Sequence, residues 1–173
     1  MTPFLRRVRG ILKCSMLGFV TASCLSSVEE EAGIGSTSHT LASSAERVTH
    51  YRSASGVTVI IGTSHDDILN GTSGTDCIVG NGGRDIIDAG PGNDVVFGGD
   101  GDDTITGGSG DDQLFGGSGR DTLSGGDGND QLIDCSDHTA FNGGSGTDNC
   151  QGDNPGDDSE PFANCELEFS SCP

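Results

Sequence analysis

Tryptophan is absent from this 173-residue chain, tyrosine occurs once (Tyr51), and only 31% of residues are apolar. So few large side chains exclude a conventional globular core. Basic residues are scarce as well, 8 against 27 acidic ones, and four of them (Arg6, Arg7, Arg9, Lys13) lie at the extreme N-terminus. Without a basic patch there is nothing to meet phosphates, which excludes nucleic acid as a partner. The formal charge of −19 makes the chain repel itself open unless cations neutralise it. Enzyme signatures are also missing: no G-x-S-x-G elbow, no H-E-x-x-H helix and no phosphate loop occurs. His39, His50, His65 and His138 are scattered through tether, turn and irregular sequence, which gives no sign of a shared pocket. The expectation is a protein without catalytic residues.

No apolar run reaches the roughly 20 residues that a bilayer-spanning helix needs. The N-terminus instead has a basic segment, a modest apolar stretch from Ile11 to Val20 interrupted by Lys13, then small residues and Cys24. That layout is an export signal, expected over residues 1–23. The ending Val20-Thr21-Ala22-Ser23-Cys24 resembles a bacterial lipobox, which implies a lipid anchor at Cys24. Residues 24–56, rich in Ser, Thr, Glu and Ala with no sustained period, read as a flexible tether.

What the chain has in abundance is glycine, 30 residues, set in a strict period. From Gly62 to Gln151 ten nine-residue frames follow one another without insertion: GTSHDDILN, GTSGTDCIV, GNGGRDIID, AGPGNDVVF, GGDGDDTIT, GGSGDDQLF, GGSGRDTLS, GGDGNDQLI, DCSDHTAFN and GGSGTDNCQ. Position 6 is Asp67, Asp76, Asp85, Asp94, Asp103, Asp112, Asp121, Asp130 and Asp148, with Thr139 the exception. Position 8 is aliphatic in the first eight frames, then Phe141 and Cys150. Glycines at positions 1, 2 and 4 allow a tight turn over positions 1 to 6. Positions 7 to 9 favour a short strand, with position 8 facing inward and positions 7 and 9 facing water. Two frames make one coil, and five coils stacked at the strand spacing of about 4.8 Å give a solenoid roughly 24 Å long.

Stacking makes neighbours of position-6 aspartates two frames apart. One edge offers Asp67/Asp85, Asp85/Asp103 and Asp103/Asp121. The other offers Asp76/Asp94, Asp94/Asp112, Asp112/Asp130 and Asp130/Asp148. Paired carboxylates with turn carbonyls make an oxygen-only site of flexible geometry, which suits Ca²⁺ better than Mg²⁺. Up to about seven such sites follow from the pairs, with Asp100, Asp102, Asp111 and Asp127 adding charge or ligands. Thr63, Thr72 and His65 depart from the glycine pattern and put calcium in the first two frames in doubt.

The pattern resembles the RTX, or hemolysin-type, calcium-binding repeat, G-G-x-G-x-D-x-U-x with U a large apolar residue. The resemblance implies an all-β fold, a right-handed parallel β-roll over residues 57–151, with the nine position-6 aspartates as metal ligands and Ca²⁺ as the cofactor. Toxins, proteases and lipases of that family carry their activity in a separate domain, and no such domain fits here. The functional expectation is an extracellular or envelope-tethered calcium-binding structural or adhesive module that folds on binding Ca²⁺. Its expected partners are calcium ions and a cell surface or further copies of itself. The alternative is a calcium-switched ligand-binding or toxin-accessory protein without a catalytic domain.

A solenoid needs capped ends. Val59-Ile60-Ile61 is expected as the first strand and apolar N-terminal cap. Residues 152–173 are expected as a C-terminal cap, with Phe162, Leu167 and Phe169 covering the last coil. Four cysteines in the last 40 residues point to an oxidising compartment and a stapled cap. They allow three pairings, of which Cys150–Cys165 with Cys135–Cys172 is preferred; a zinc site is the rival. Cys77, at an outward position 7, is expected to be unpaired.

Overall fold

A computed structural model describes residues 48–52, 56–134, 139–152 and 162–167. Among these residues the regular structure is all β, arranged as a parallel solenoid of about five turns. One sheet contains β1 (Thr49–Arg52), β2 (Thr58–Ile61), β4 (Asp76–Gly82), β6 (Val95–Asp100), β8 (Gln113–Ser118), β10 (Gln131–Ile133), β12 (Asn149–Gln151) and β14 (Glu166–Leu167), hydrogen-bonded in that order. The facing sheet runs β3 (Ile68–Asn70), β5 (Ile86–Pro91), β7 (Thr104–Ser109), β9 (Thr122–Asp127), β11 (Ala140–Ser145) and β13 (Phe162–Ala163). From β2 onward successive strands alternate between sheets, and each repeat pairs with the repeat two frames away. Val96, for example, lies opposite Ile78 and Leu114, and Ile105 lies opposite Ile87 and Leu123.

Position 8 builds the core as expected. Ile60, Leu69, Ile78, Ile87, Val96, Ile105, Leu114, Leu123, Leu132, Phe141 and Cys150 form one buried column between the sheets. Each such side chain contributes about 1.5–3 kcal/mol of transfer free energy.

The strands are longer than the residue pattern predicts. In the regular frames they continue through positions 1 to 3 of the following frame, as in β7, so the turn shrinks to positions 4 to 6. The extended pairing satisfies backbone groups that a six-residue turn would leave to other partners. Glycine at position 2 is then a strand residue, held at positive φ, as at Gly99 (φ 123).

Both ends are also more elaborate than expected. Thr49–Arg52, placed by sequence in the tether, is a strand that pairs antiparallel with β2, and Val48 packs against the core. The four residues lie outside the nine-residue frames, so no repeat register announces them. β2 is thus covered on its outer side. At the other end, Phe162 registers with Phe141, and Leu167 with Cys150. These segments lengthen both sheets. Their spacings of 21 and 17 residues, taken from those numbers, depart from 18, so the nine-residue period does not predict them. Residues 1–23, Phe169, Cys135 and Cys172 lie outside the described residues.

The outer faces differ. Position 7 of the first sheet carries Val59, Cys77 and Val95 in register, and position 9 carries Ile61, Val79, Phe97, Phe115 and Ile133. Phe97 and Phe115 stack with ring centroids 4.8 Å apart. The expectation that positions 7 and 9 face water therefore fails at Val59, Cys77 and Phe115, which are buried. So does the expected free thiol: Cys77 is buried beside Val59 and is disulfide-bonded. Cys150 and Cys165 form the preferred disulfide.

Candidate metal centre

Position 6 ends each turn at the entry to the strand, and alternation with position 8 sends its side chain inward. Asp76, Asp85, Asp94, Asp103, Asp112, Asp121, Asp130 and Asp148 are all 0–2% exposed. A carboxylate at this depth demands compensation. Part of it comes from the preceding coil. The N–H of Asp67 donates to Asp85 Oδ1 (2.8 Å), that of Asp85 to Asp103 (2.8 Å) and that of Asp103 to Asp121 (2.8 Å). On the other edge Asp76, Asp94, Asp112 and Asp130 donate to Asp94, Asp112, Asp130 and Asp148 at 2.8–2.9 Å. The pairs drawn from the sequence are therefore neighbours, each joined through a main-chain N–H.

The second carboxylate oxygen separates the frames into two kinds. In the first two, the threonine at position 2 occupies it. Thr63 N–H and hydroxyl donate to Asp67 Oδ2 at 2.6 and 2.9 Å, and Thr72 N–H donates to Asp76 Oδ2 at 2.5 Å. From the third frame on, Oδ2 of Asp85, Asp94, Asp103, Asp112 and Asp130 is buried with no hydrogen-bond donor. Orphaned buried carboxylate oxygens are costly unless a cation meets them.

Main-chain oxygens line the same space. A Cβ placed on Gly98 would stand 2.6 Å from Gly116 O and against Asp103 Oδ2; one on Gly107 would stand 2.7 Å from Gly125 O and against Asp112 Oδ2. Carbonyl and carboxylate oxygens thus converge beside these position-1 glycines. No group of three or more His, Cys, Asp or Glu side chains converges among the described residues. The available donor set is two carboxylates with main-chain carbonyls, all hard oxygen, which fits Ca²⁺.

The electrostatics agree with this reading. Burial, the largest cause, pushes the Asp94 and Asp103 carboxyls up to about 6 and Asp112 up to about 7, against the lowering effect of the N–H each accepts. Neighbouring aspartates push them up further. Asp85 and Asp130 are raised for the same reasons.

A family model for the RTX calcium-binding nonapeptide repeat, in blocks of four copies, matches residues 61–96 and again residues 97–132. The chain carries RTX calcium-binding repeats. No curated protein and no solved structure matches it. Together with the fold, the match over these residues suggests a calcium-binding β-roll.

Other carboxylates in the RTX turns do not join the inner rows. Asp102 and Asp111 accept the main-chain N–H of Arg120 and Asn129 along the exposed rim (3.0 and 2.9 Å). Asp100 and Asp127 accept the hydroxyls of Ser118 and Ser145. The Arg120 N–H, then Arg84, which also forms an ion pair at 3.3 Å, hold the Asp102 carboxyl below its ordinary value. These residues are rim ladders, not inward-facing oxygens.

One inward carboxylate is not among those expected from the repeat pattern. Asp134, at position 1 of the irregular frame, is 1% exposed. The signal was present: this frame lacks the position-6 aspartate and has an aspartate where the others have glycine or alanine.

Proposed function

We propose that the RTX roll is an extracellular structural or adhesive module that folds when Ca²⁺ occupies its two inner rows of aspartates. The observation that carries this reading is the run of orphaned, buried Oδ2 atoms beginning at Asp85. The ligands proposed are Asp67, Asp76, Asp85, Asp94, Asp103, Asp112, Asp121, Asp130 and Asp148, with turn carbonyls. The strongest sites are the pairs from Asp85 onward, because the threonines of the first two frames already satisfy Asp67 and Asp76. Ca²⁺ would supply the positive charge that the buried rows lack.

Energetics favour coupled folding. Ordering a residue costs roughly 1–2 kcal/mol of backbone entropy. One buried aliphatic per nine residues returns only about 1.5–3 kcal/mol. Binding to the folded form alone then decides the equilibrium. Calcium titration of the full chain, followed by far-ultraviolet circular dichroism, tests the reading. A chain without ordered β signal in metal-free buffer at neutral pH should gain it at millimolar Ca²⁺. A cooperative β-type melt in the same metal-free buffer would refute coupled folding.

RTX repeats are typical of secreted bacterial proteins. We place this one in the cell envelope, anchored through lipid on Cys24, with the residues before β1 acting as a spacer. Multiple acyl chains on one cysteine anchor more firmly than one. Expression in a Gram-negative host should put the protein in the membrane fraction, and Cys24→Ser should stop its maturation. Wild-type protein in the medium with an intact Cys24 thiol would mean simple secretion. The adhesive role rests on Ile68 and Ile86, which are 71% and 51% exposed and adjacent in register at the start of the second sheet.

A further inference from the structure

In nine of the ten frames position 6 is aspartate and position 1 is glycine or alanine. The regular glycine frames show the steric basis. The position-6 Oδ2 folds back over position 1 of its own frame, as Asp103 Oδ2 does over Gly98 and Asp112 Oδ2 over Gly107. A longer side chain at position 1 would compete for that place. The ninth frame exchanges the two: position 6 is Thr139 and position 1 is Asp134. Both are buried at 1% exposure, and the Thr139 hydroxyl donates to Asp134 Oδ2.

The exchange returns a carboxylate to the inner row. A Cβ on Gly116 would stand 2.5 Å from Asp121 Oδ2 and 2.5 Å from Asp134 Oδ2, so the two oxygens are at most 5.0 Å apart. At Gly98 and Gly107 the corresponding contact from the next coil is a main-chain carbonyl, Gly116 O or Gly125 O. Independently, Asp121 is 2% exposed and its Oδ2 has no hydrogen-bond donor.

We propose that Asp121 and Asp134 form a further divalent-cation site, which the nine-residue pattern does not assign, at the end of the row Asp67, Asp85, Asp103, Asp121. Thr139 is a positioning residue, holding the Asp134 carboxylate toward Asp121. The inference rests on the reading that the inner rows hold Ca²⁺.

The test is the number of Ca²⁺ ions bound per full-length chain, read by native mass spectrometry. Asp134→Gly installs the residue that position 1 normally carries, so the coil is kept while the carboxylate is lost. It should bind one ion fewer than wild type. The double variant Asp134→Gly/Thr139→Asp restores the regular frame and should regain that ion. Equal stoichiometry in wild type and Asp134→Gly would overturn the proposal and show a pair that shares a proton. Failure of the double variant to regain the ion would overturn it too. A wild-type chain that binds no Ca²⁺ would refute the underlying reading and the added site together.

Discussion

Aspartates of identical type and repeat position do not carry equal roles. Asp112 sits mid-row: it accepts the N–H of Asp94, its own N–H donates to Asp130, and its Oδ2 is orphaned. Asp67 starts its row, and Thr63 satisfies its Oδ2. Asp112→Ala should therefore damage two pairs, and Asp67→Ala one pair that needs a cation least. A charged hydrogen bond is worth about 1.5–3 kcal/mol, so Asp112→Ala should raise the calcium midpoint of folding by roughly tenfold or more. Asp67→Ala should raise it by a smaller factor, because it damages one pair and leaves no cation site short of its mid-row ligand. Equal midpoints in circular dichroism titrations would remove the distinction between the two kinds of frame.

At the scale of the strand and turn, the same residue type serves distinct purposes. Position-1 glycines leave room for a carbonyl and a carboxylate, while position-2 and position-4 glycines supply positive φ. Asn81 fills position 2 at φ 80 and uses its side-chain amide to bind Gly62 O at 2.9 Å. Gly74, at position 4 of a weak frame, has no positive φ, and a Cβ placed on it would meet nothing within 4 Å. Gly107→Ala should thus destabilise the calcium-loaded roll by about 1–3 kcal/mol through overpacking. Gly74→Ala should stay within about 0.5 kcal/mol. Thermal melts in saturating calcium compare the two, and matched melting temperatures would show that the inner turn is looser than this packing requires.

Over the whole molecule, buried carboxylates in the middle of the two rows titrate high. The folded values of Asp85 and Asp130 are raised, Asp94 and Asp103 stand near 6 and Asp112 near 7. A raised carboxylate favours the folded form while it is protonated. For the metal-free roll, that stability is fully present below about pH 4, where unfolded aspartate also holds its proton. It is lost as pH rises through the folded values of about 6 to 7. Metal-free protein should therefore gain β signal on acidification. In calcium the dependence reverses, because protons and Ca²⁺ compete for the same oxygens, so the calcium midpoint should fall as pH rises from about 5 to about 8. Circular dichroism against pH, with and without calcium, measures both slopes. A calcium midpoint independent of pH would place the bound ions away from these carboxylates.

The sequence by itself determined the coil. A nine-residue period with one apolar residue and one aspartate per frame admits few other arrangements, so the inward column of position 8, the eighteen-residue register and the paired aspartates were all legible. Local chemistry repeated in register makes stacking a nearly one-dimensional problem. Features that break the period needed the tertiary structure. β1 and β13/β14 pair across spacings other than eighteen, the outer face around Cys77 is buried, and Asp134 reaches its row from position 1. Each depends on which coil lies alongside which. Distance between coils, rather than distance along the chain, decides whether a carboxylate such as Asp121 has a neighbour.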